Sequence, residues 1–189
     1  MKNIKIALLG GSFNPIHNKH IEIIKQIQKT GVVDEVWILP CGKHTFGKEL
    51  VHAKDRIKMI KLAIKNMDGV KICLEEIKNN SGVTIDTIRS LKKKYPYEFY
   101  FVIGSDILRE IHLWDKYEEL FKEVKFIVVL RKGFPLRKIK GMKVGLVLND
   151  KINGISSTEI RTRAKRKLDL MGLVPELVKD YIMKRGLYK

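Results

Sequence analysis

The chain has 189 residues, 44% of them hydrophobic, with two cysteines and a formal net charge of +17. That composition excludes a disordered or fibrous chain and a disulfide framework, and it suits one domain with a real core. No stretch approaches the roughly 20 apolar residues needed to cross a bilayer.

Cys41 and Cys73 form no CxxC pair, which is the usage of a reducing compartment. The basic start and the short apolar run Ile6–Leu9 mimic a signal peptide. The run is too brief, however, and Gly10-Gly11-Ser12-Phe13-Asn14-Pro15 is no cleavage site. The expectation is a soluble cytoplasmic protein. A charge of +17 attracts polyanions, either nucleic acid or phosphorylated small molecules. The lysines are spread along the chain and are not interleaved with aromatics as on a base-stacking platform. The densest run, Arg161–Lys167, falls in a predicted helix and reads as a solvated face. A nucleic-acid partner is not expected, and a homo-oligomer is left open.

In chain order, strands are predicted at Ile4–Leu9, Glu35–Leu39, Val70–Leu74, Glu98–Ile103, Lys125–Leu130 and Lys143–Leu148. Most are continuously apolar, as in a sheet covered on both faces. Helical spacing joins Ile21, Ile24, Ile27 and Gln28 after the first strand, and Ile57, Ile60, Leu62 and Ile64 after the second. It joins Ile85, Ile88 and Leu91 after the third. From about 150 to 189 the pattern turns helical, with Pro175 near the first position of a final helix. Strand alternating with helix predicts a doubly wound parallel α/β sheet with right-handed crossovers, as one domain over 1–189 with a C-terminal helical part. Ligands in such sheets bind beyond the carboxyl ends of the strands.

The loop after the first strand, Gly10-Gly11-Ser12-Phe13-Asn14-Pro15-Ile16-His17-Asn18-Lys19-His20, is neither a Walker loop nor GxGxxG. Paired glycines let backbone N–H groups approach a phosphate. Asn14-Pro15 signals a turn into a helix, and His17 and His20, three apart, share a face at that helix's start. A helix N-terminus with two imidazoles is a site for a polyphosphate, although two isolated histidines are more often ordinary helix residues. Near the C-terminus, Ile155-Ser156-Ser157-Thr158-Glu159-Ile160-Arg161 reads by itself as a helix cap with a capping box.

Together these two segments resemble the GGSF(D/N)PxHxGH and ISSTxIR signatures of the nucleotidylyltransferase superfamily. Lys19 stands where glycine is usual. Phe101-Val102-Ile103-Gly104-Ser105-Asp106 with Trp114, and Val83-Thr84-Ile85-Asp86-Thr87-Ile88, resemble segments of the nicotinate/nicotinamide mononucleotide adenylyltransferases. Val83 replaces the usual Tyr and Gly82 the usual Ser.

The resemblance implies a Rossmann-like fold and transfer of AMP from ATP to a pyridine mononucleotide in NAD biosynthesis, with Mg²⁺ accompanying the phosphates and no metal ligand on the protein. It assigns catalysis to His17, His20 and Arg161. ATP binding falls to Gly10, Gly11, Ser12, Phe13, His17, His20, Gly104, Asp106, Ile155, Ser156, Ser157 and Arg161. Mononucleotide binding falls to Ser12, Lys48, Thr84 and Trp114. For three of these the bland reading stays open: Trp114 as a packing anchor, Thr84 as a helix cap, Lys48 as a solvated lysine. Two alternatives remain. One is a phosphopantetheine-type adenylyltransferase; the other is an inactive nucleic-acid-binding relative, suggested by the charge and Lys19.

Overall fold

A computed structural model of the chain describes residues 3–42, 50–79, 82–149 and 154–189. Six parallel strands, β1 (Lys5–Gly11), β2 (Glu35–Pro40), β3 (Val70–Ile72), β4 (Glu98–Gly104), β5 (Lys125–Leu130) and β6 (Val144–Asn149), form one sheet in the order β3-β2-β1-β4-β5-β6. The helices are α1 (Asn18–Lys29), α2 (Ala53–Ala63), α3 (Glu75–Asn79), α4 (Thr84–Lys94), α5 (Tyr117–Glu123), α6 (Ser157–Lys165) and α7 (Glu176–Arg185).

The strands read as unbroken apolar runs because both faces of the sheet are covered. Successive side chains point to opposite faces. Ala7, Leu9, Val36, Ile38, Val102, Ile127 and Val129 pack with Ile24 and Ile27 of α1, Met59 and Ile60 of α2, Ile160 of α6 and Val178 and Ile182 of α7. Ile6, Leu8, Leu39, Phe99, Phe101, Phe126 and Val128 pack with Ile85 and Ile88 of α4 and Leu120 and Phe121 of α5. Strand β6, at the sheet's edge, departs from the pattern and leaves Val144 and Val147 exposed.

Other departures are local. The third strand stops at Ile72 because the chain turns into α3. Pro175 lies just before α7, with extended ψ 145°, and the helix opens at Glu176. Thr84 is the first residue of α4 and Val83 is its cap, with no side-chain capping bond. The capping alternative for Thr84 is therefore not what the fold uses.

Helix α7 lies against α2. Its Tyr181 hydroxyl donates to Asp55 Oδ1 at 2.7 Å, and Arg185 Nε stands 3.7 Å from the same oxygen. Asp55 is nearly buried, so a lost donor leaves a desolvated carboxylate short of a partner. Tyr181→Phe is expected to cost about 1–2 kcal/mol in urea unfolding. An unchanged urea midpoint would contradict that account of the α2–α7 contact.

Candidate active site

Strand order reverses between β1 and β4, the place where an open parallel sheet leaves a crevice at its carboxyl edge. A cavity of about 410 Å³ opens there. One wall is Leu9, Gly10, Gly11 and His20; another is Ile103, Gly104 and Arg131; Cys41, Glu76, Thr84, Phe101 and Trp114 are among the other lining residues.

The glycines at the end of β1 serve packing as well as access. A Cβ on Gly10 would lie 3.1 Å from the Phe101 ring, and one on Gly11 would lie 3.3 Å from the Phe13 ring. Phe13 itself is 1% exposed with φ +46°, so its ring is core. Three of the carbonyls that follow are held by remote side chains. Arg56 Nη1 donates to Ser12 O at 2.9 Å, Arg161 Nη1 to Asn14 O at 3.0 Å, and Ser157 Oγ to Pro15 O at 3.0 Å. Asn14 Oδ1 accepts from the Tyr188 hydroxyl at 3.0 Å. The two signature segments thus meet, through hydroxyl and guanidinium on backbone carbonyl. Ser156 caps α6 by accepting from Glu159 N at 3.1 Å, as its sequence indicates.

The histidines behave differently from two open cations at a helix end. Their rings stack, with centroids 3.7 Å apart. Burial, with the charges of Lys19 and Arg131, brings the pKa of His17 down to about 4. Burial, His17 and the same two cations hold His20 well below the usual range. Both imidazoles are neutral at pH 7. His17 N donates to His20 Nδ1 at 3.2 Å. An accepting Nδ1 in a neutral ring puts the hydrogen on Nε2, which makes His20 a hydrogen-bond donor at the cavity. The first amides of α1 are largely occupied: Asn18 N donates to Leu173 O, and His20 N and Ile21 N to His17 O. The expected bare helix N-terminus is replaced by a side-chain donor. His17 Nδ1 is buried without a partner.

Across the cavity, Asp106 Oδ2 accepts from Arg131 Nη1 at 2.9 Å, while Oδ1 is buried and unpartnered. Gly104 has to be glycine, because a Cβ there would collide with Asp106 Oδ1 and reach 2.5 Å from Arg131 Nε. Ser105, 1% exposed, accepts from Arg131 N and donates to Phe134 O, which fixes the turn that carries Arg131. Trp114 is half-buried and packs at 86° on Phe101, with ring centroids 6.0 Å apart. Its anchoring contact and its place in the cavity wall are compatible.

Of the residues singled out from sequence, Gly10, Gly11, His20, Gly104, Thr84 and Trp114 line one cavity. His17, Ser12, Phe13, Asp106, Ser157 and Arg161 stand behind it, touching the lining segments through the contacts above. Ile155 packs against the core and Ser156 spends its hydroxyl on the cap. Lys48 lies outside the described residues. Arg131, Arg56, Phe101 and Glu76 were not anticipated. Arg131 did carry a signal, a charge directly after the apolar run 126–130 of β5. Among the described residues no group of three or more His, Cys, Asp or Glu is placed to hold a metal. No helix among them is long and apolar enough to cross a membrane.

A sheet of this order, with a cavity at its reversal point and two remote segments clasped around the first loop, defines a nucleotidyltransferase, and the cytidylyltransferase-like family model matches residues 8–163. A protein of Anaeromyxobacter sp. (strain K) named "Probable nicotinate-nucleotide adenylyltransferase" is 38% identical over 98% of this chain and 97% of its own. One of the same name from Bacillus cytotoxicus is 36% identical, covering 98% of each chain. The solved nicotinic acid mononucleotide adenylyltransferase of Plasmodium falciparum, complexed with NaAD, superposes with a TM-score of 0.84 at 30% identity over 98% of both chains. The chain belongs to the nicotinate-nucleotide adenylyltransferase family.

The two histidines carry a stability consequence. His17 titrates near 6.5 when unfolded and at about 4 when folded, so between those values the unfolded chain holds a proton that the folded chain refuses. Stability falls as pH drops below about 6.5, and this loss levels off near 4, reaching about 3 kcal/mol at most. His20 acts in the same direction. The urea midpoint of ligand-free protein is expected to fall between about pH 7.5 and about pH 5, and to fall less in His17→Gln. Equal falls in both proteins would contradict this.

Proposed function

We propose that this chain transfers the adenylyl group of ATP to nicotinate mononucleotide, releasing pyrophosphate and forming the deamido dinucleotide. The observation that carries this reading is the single cavity joining the Gly10–Gly11–His20 wall to the Thr84–Trp114 wall across the sheet's switch point. The names of its relatives and of the NaAD-bound Plasmodium protein support the acceptor.

The triphosphate lies along the β1 loop, where the His20 Nε2–H donates to phosphate oxygen and Arg161 and Arg131 supply positive charge. Asp106, with its free Oδ1, receives ribose hydroxyls. A phosphate oxygen of the mononucleotide attacks the α-phosphorus, the new P–O bond forms, and the bond to the bridging oxygen breaks as pyrophosphate leaves. The chain needs no covalent nucleophile: its part is to align the reactants and to stabilise charge on the phosphoryl and departing oxygens. ATP enters as its magnesium complex. The ion belongs to the substrate, held by phosphate oxygens and water. Cys41 and Cys73, which form no CxxC pair, support a cytoplasmic setting for the reaction.

The direct test is pyrophosphate release from ATP with nicotinate mononucleotide and with nicotinamide mononucleotide, side by side. Turnover at least tenfold faster with the nicotinate form is expected; equal or reversed rates would overturn the acceptor assignment, and no turnover with either would overturn the reaction.

Trp114 offers the pyridine ring a flat partner, and by analogy with base stacking the contact is worth roughly 1–3 kcal/mol, about five- to a hundredfold in affinity. Trp114→Ala is expected to raise the KM of the mononucleotide by that factor while the KM of ATP changes far less. Equal rises in both would return Trp114 to a packing role.

A further inference from the structure

Arg56, on α2, is 1% exposed and is the largest fully buried side chain of the described residues. A guanidinium so deep in the fold is normally matched by a carboxylate. Here no ion pair reaches it among the described residues. Nη1 donates to Ser12 O at 2.9 Å and Nη2 to Cys41 O at 2.8 Å; Cys41 Sγ stands 3.9 Å from Nη1; Nε is buried without a partner. Glu76, in the cavity wall, is close enough to feel its charge without contact.

The two carbonyls mark the exits of adjacent strands. β1 and β2 pair as far as Gly11 opposite Pro40, and Cys41 N donates to Gly11 O at 2.9 Å. Beyond that point the strands' own hydrogen bonds end, and Arg56 carries the link one step further. One exit becomes the Ser12–His17 loop; the other carries Cys41 into the cavity wall. In a trans peptide the carbonyl and the following N–H point opposite ways. With Ser12 O drawn to Arg56, Phe13 N–H faces away from it. Phe13 sits at φ +46°, a conformation a non-glycine residue keeps only when its surroundings impose it.

We propose that Arg56 is a positioning residue for adenylyl transfer: its planar fork sets the separation of the nucleotide loop and the Cys41 wall of the cavity, and its charge lies beneath that loop. The proposal rests on the adenylyl-transfer reading of this cavity.

Lysine preserves the charge but cannot bridge two fixed carbonyls as a guanidinium does, so Arg56→Lys is the decisive variant, with Arg56→Ala beside it. Kinetics are run well below each variant's melting temperature. In Arg56→Lys we expect kcat to fall at least tenfold while the KM for ATP stays within about threefold. In Arg56→Ala, kcat falls further and millimolar guanidinium ion restores part of it. Wild-type kcat in Arg56→Lys would overturn the proposal, as would a loss that disappears on cooling, since that belongs to stability alone. If Arg56→Ala does not fold, the lysine variant decides. If the wild type turns over no pyridine mononucleotide, the functional reading fails separately, and calorimetric ATP binding then tests Arg56. An at least tenfold weaker affinity in Arg56→Gln upholds its role at the nucleotide loop; an unchanged affinity removes it.

Discussion

The backbone between Gly11 and His17 leaves the sheet before it reaches α1, so its carbonyls have no ladder partner, and buried backbone oxygens must be satisfied somehow. The fold meets this need from two remote helices at once: Arg56 on α2 takes Ser12, while Arg161 and Ser157, both on α6, take Asn14 and Pro15. Holding those oxygens fixes the loop's shape before any ligand arrives. A loop that needs no ordering on binding contributes more of its contact energy to the transition state.

The same logic explains why charged residues of the second signature are absent from the cavity lining. Arg161 and Ser157 touch the loop, and the loop touches the cavity. Their guanidinium and hydroxyl groups reach the cavity through the backbone they hold. A substitution there would disturb the position of the reacting groups as well as their charge, and small misplacements are costly in rate.

Positive charge around the site is concentrated in arginines, because the histidines are kept neutral. Arg131 and Lys19 depress the imidazoles that burial already disfavours as cations. A neutral His20 that accepts at Nδ1 is left with one orientation and one donor. Fixing the tautomer in this way suits hydrogen bonding to a phosphoryl oxygen whose charge grows during transfer. The arginines, always protonated, supply the field.

The alternation of strands and helices and the parallel sheet covered on both faces were legible from the chain because they rest on local patterns. Unbroken apolar runs such as 126–130 belong to strands covered on both faces, and helical spacing between them forces parallel crossovers. Gly10-Gly11, His20, Gly104 and Trp114 could be singled out because they lie at or beyond the carboxyl ends of β1 and β4, where such sheets bind ligands. The edge exposure of β6, the short β3 and the uncapped Thr84 were not, since each depends on what packs beside the element. Nor could the chain reveal that His17 and His20 are uncharged, that Arg131 lines the cavity, or that Arg56 holds the first loop. Burial and the field of neighbours distant in sequence decide a pKa, and only folding brings α2, β5 and α6 to the end of β1. Sequence alone determined which chemistry-bearing groups the chain owns and which sheet edge they reach; tertiary structure decided their charge and their partners, because both are set by contacts made across the whole length of the chain.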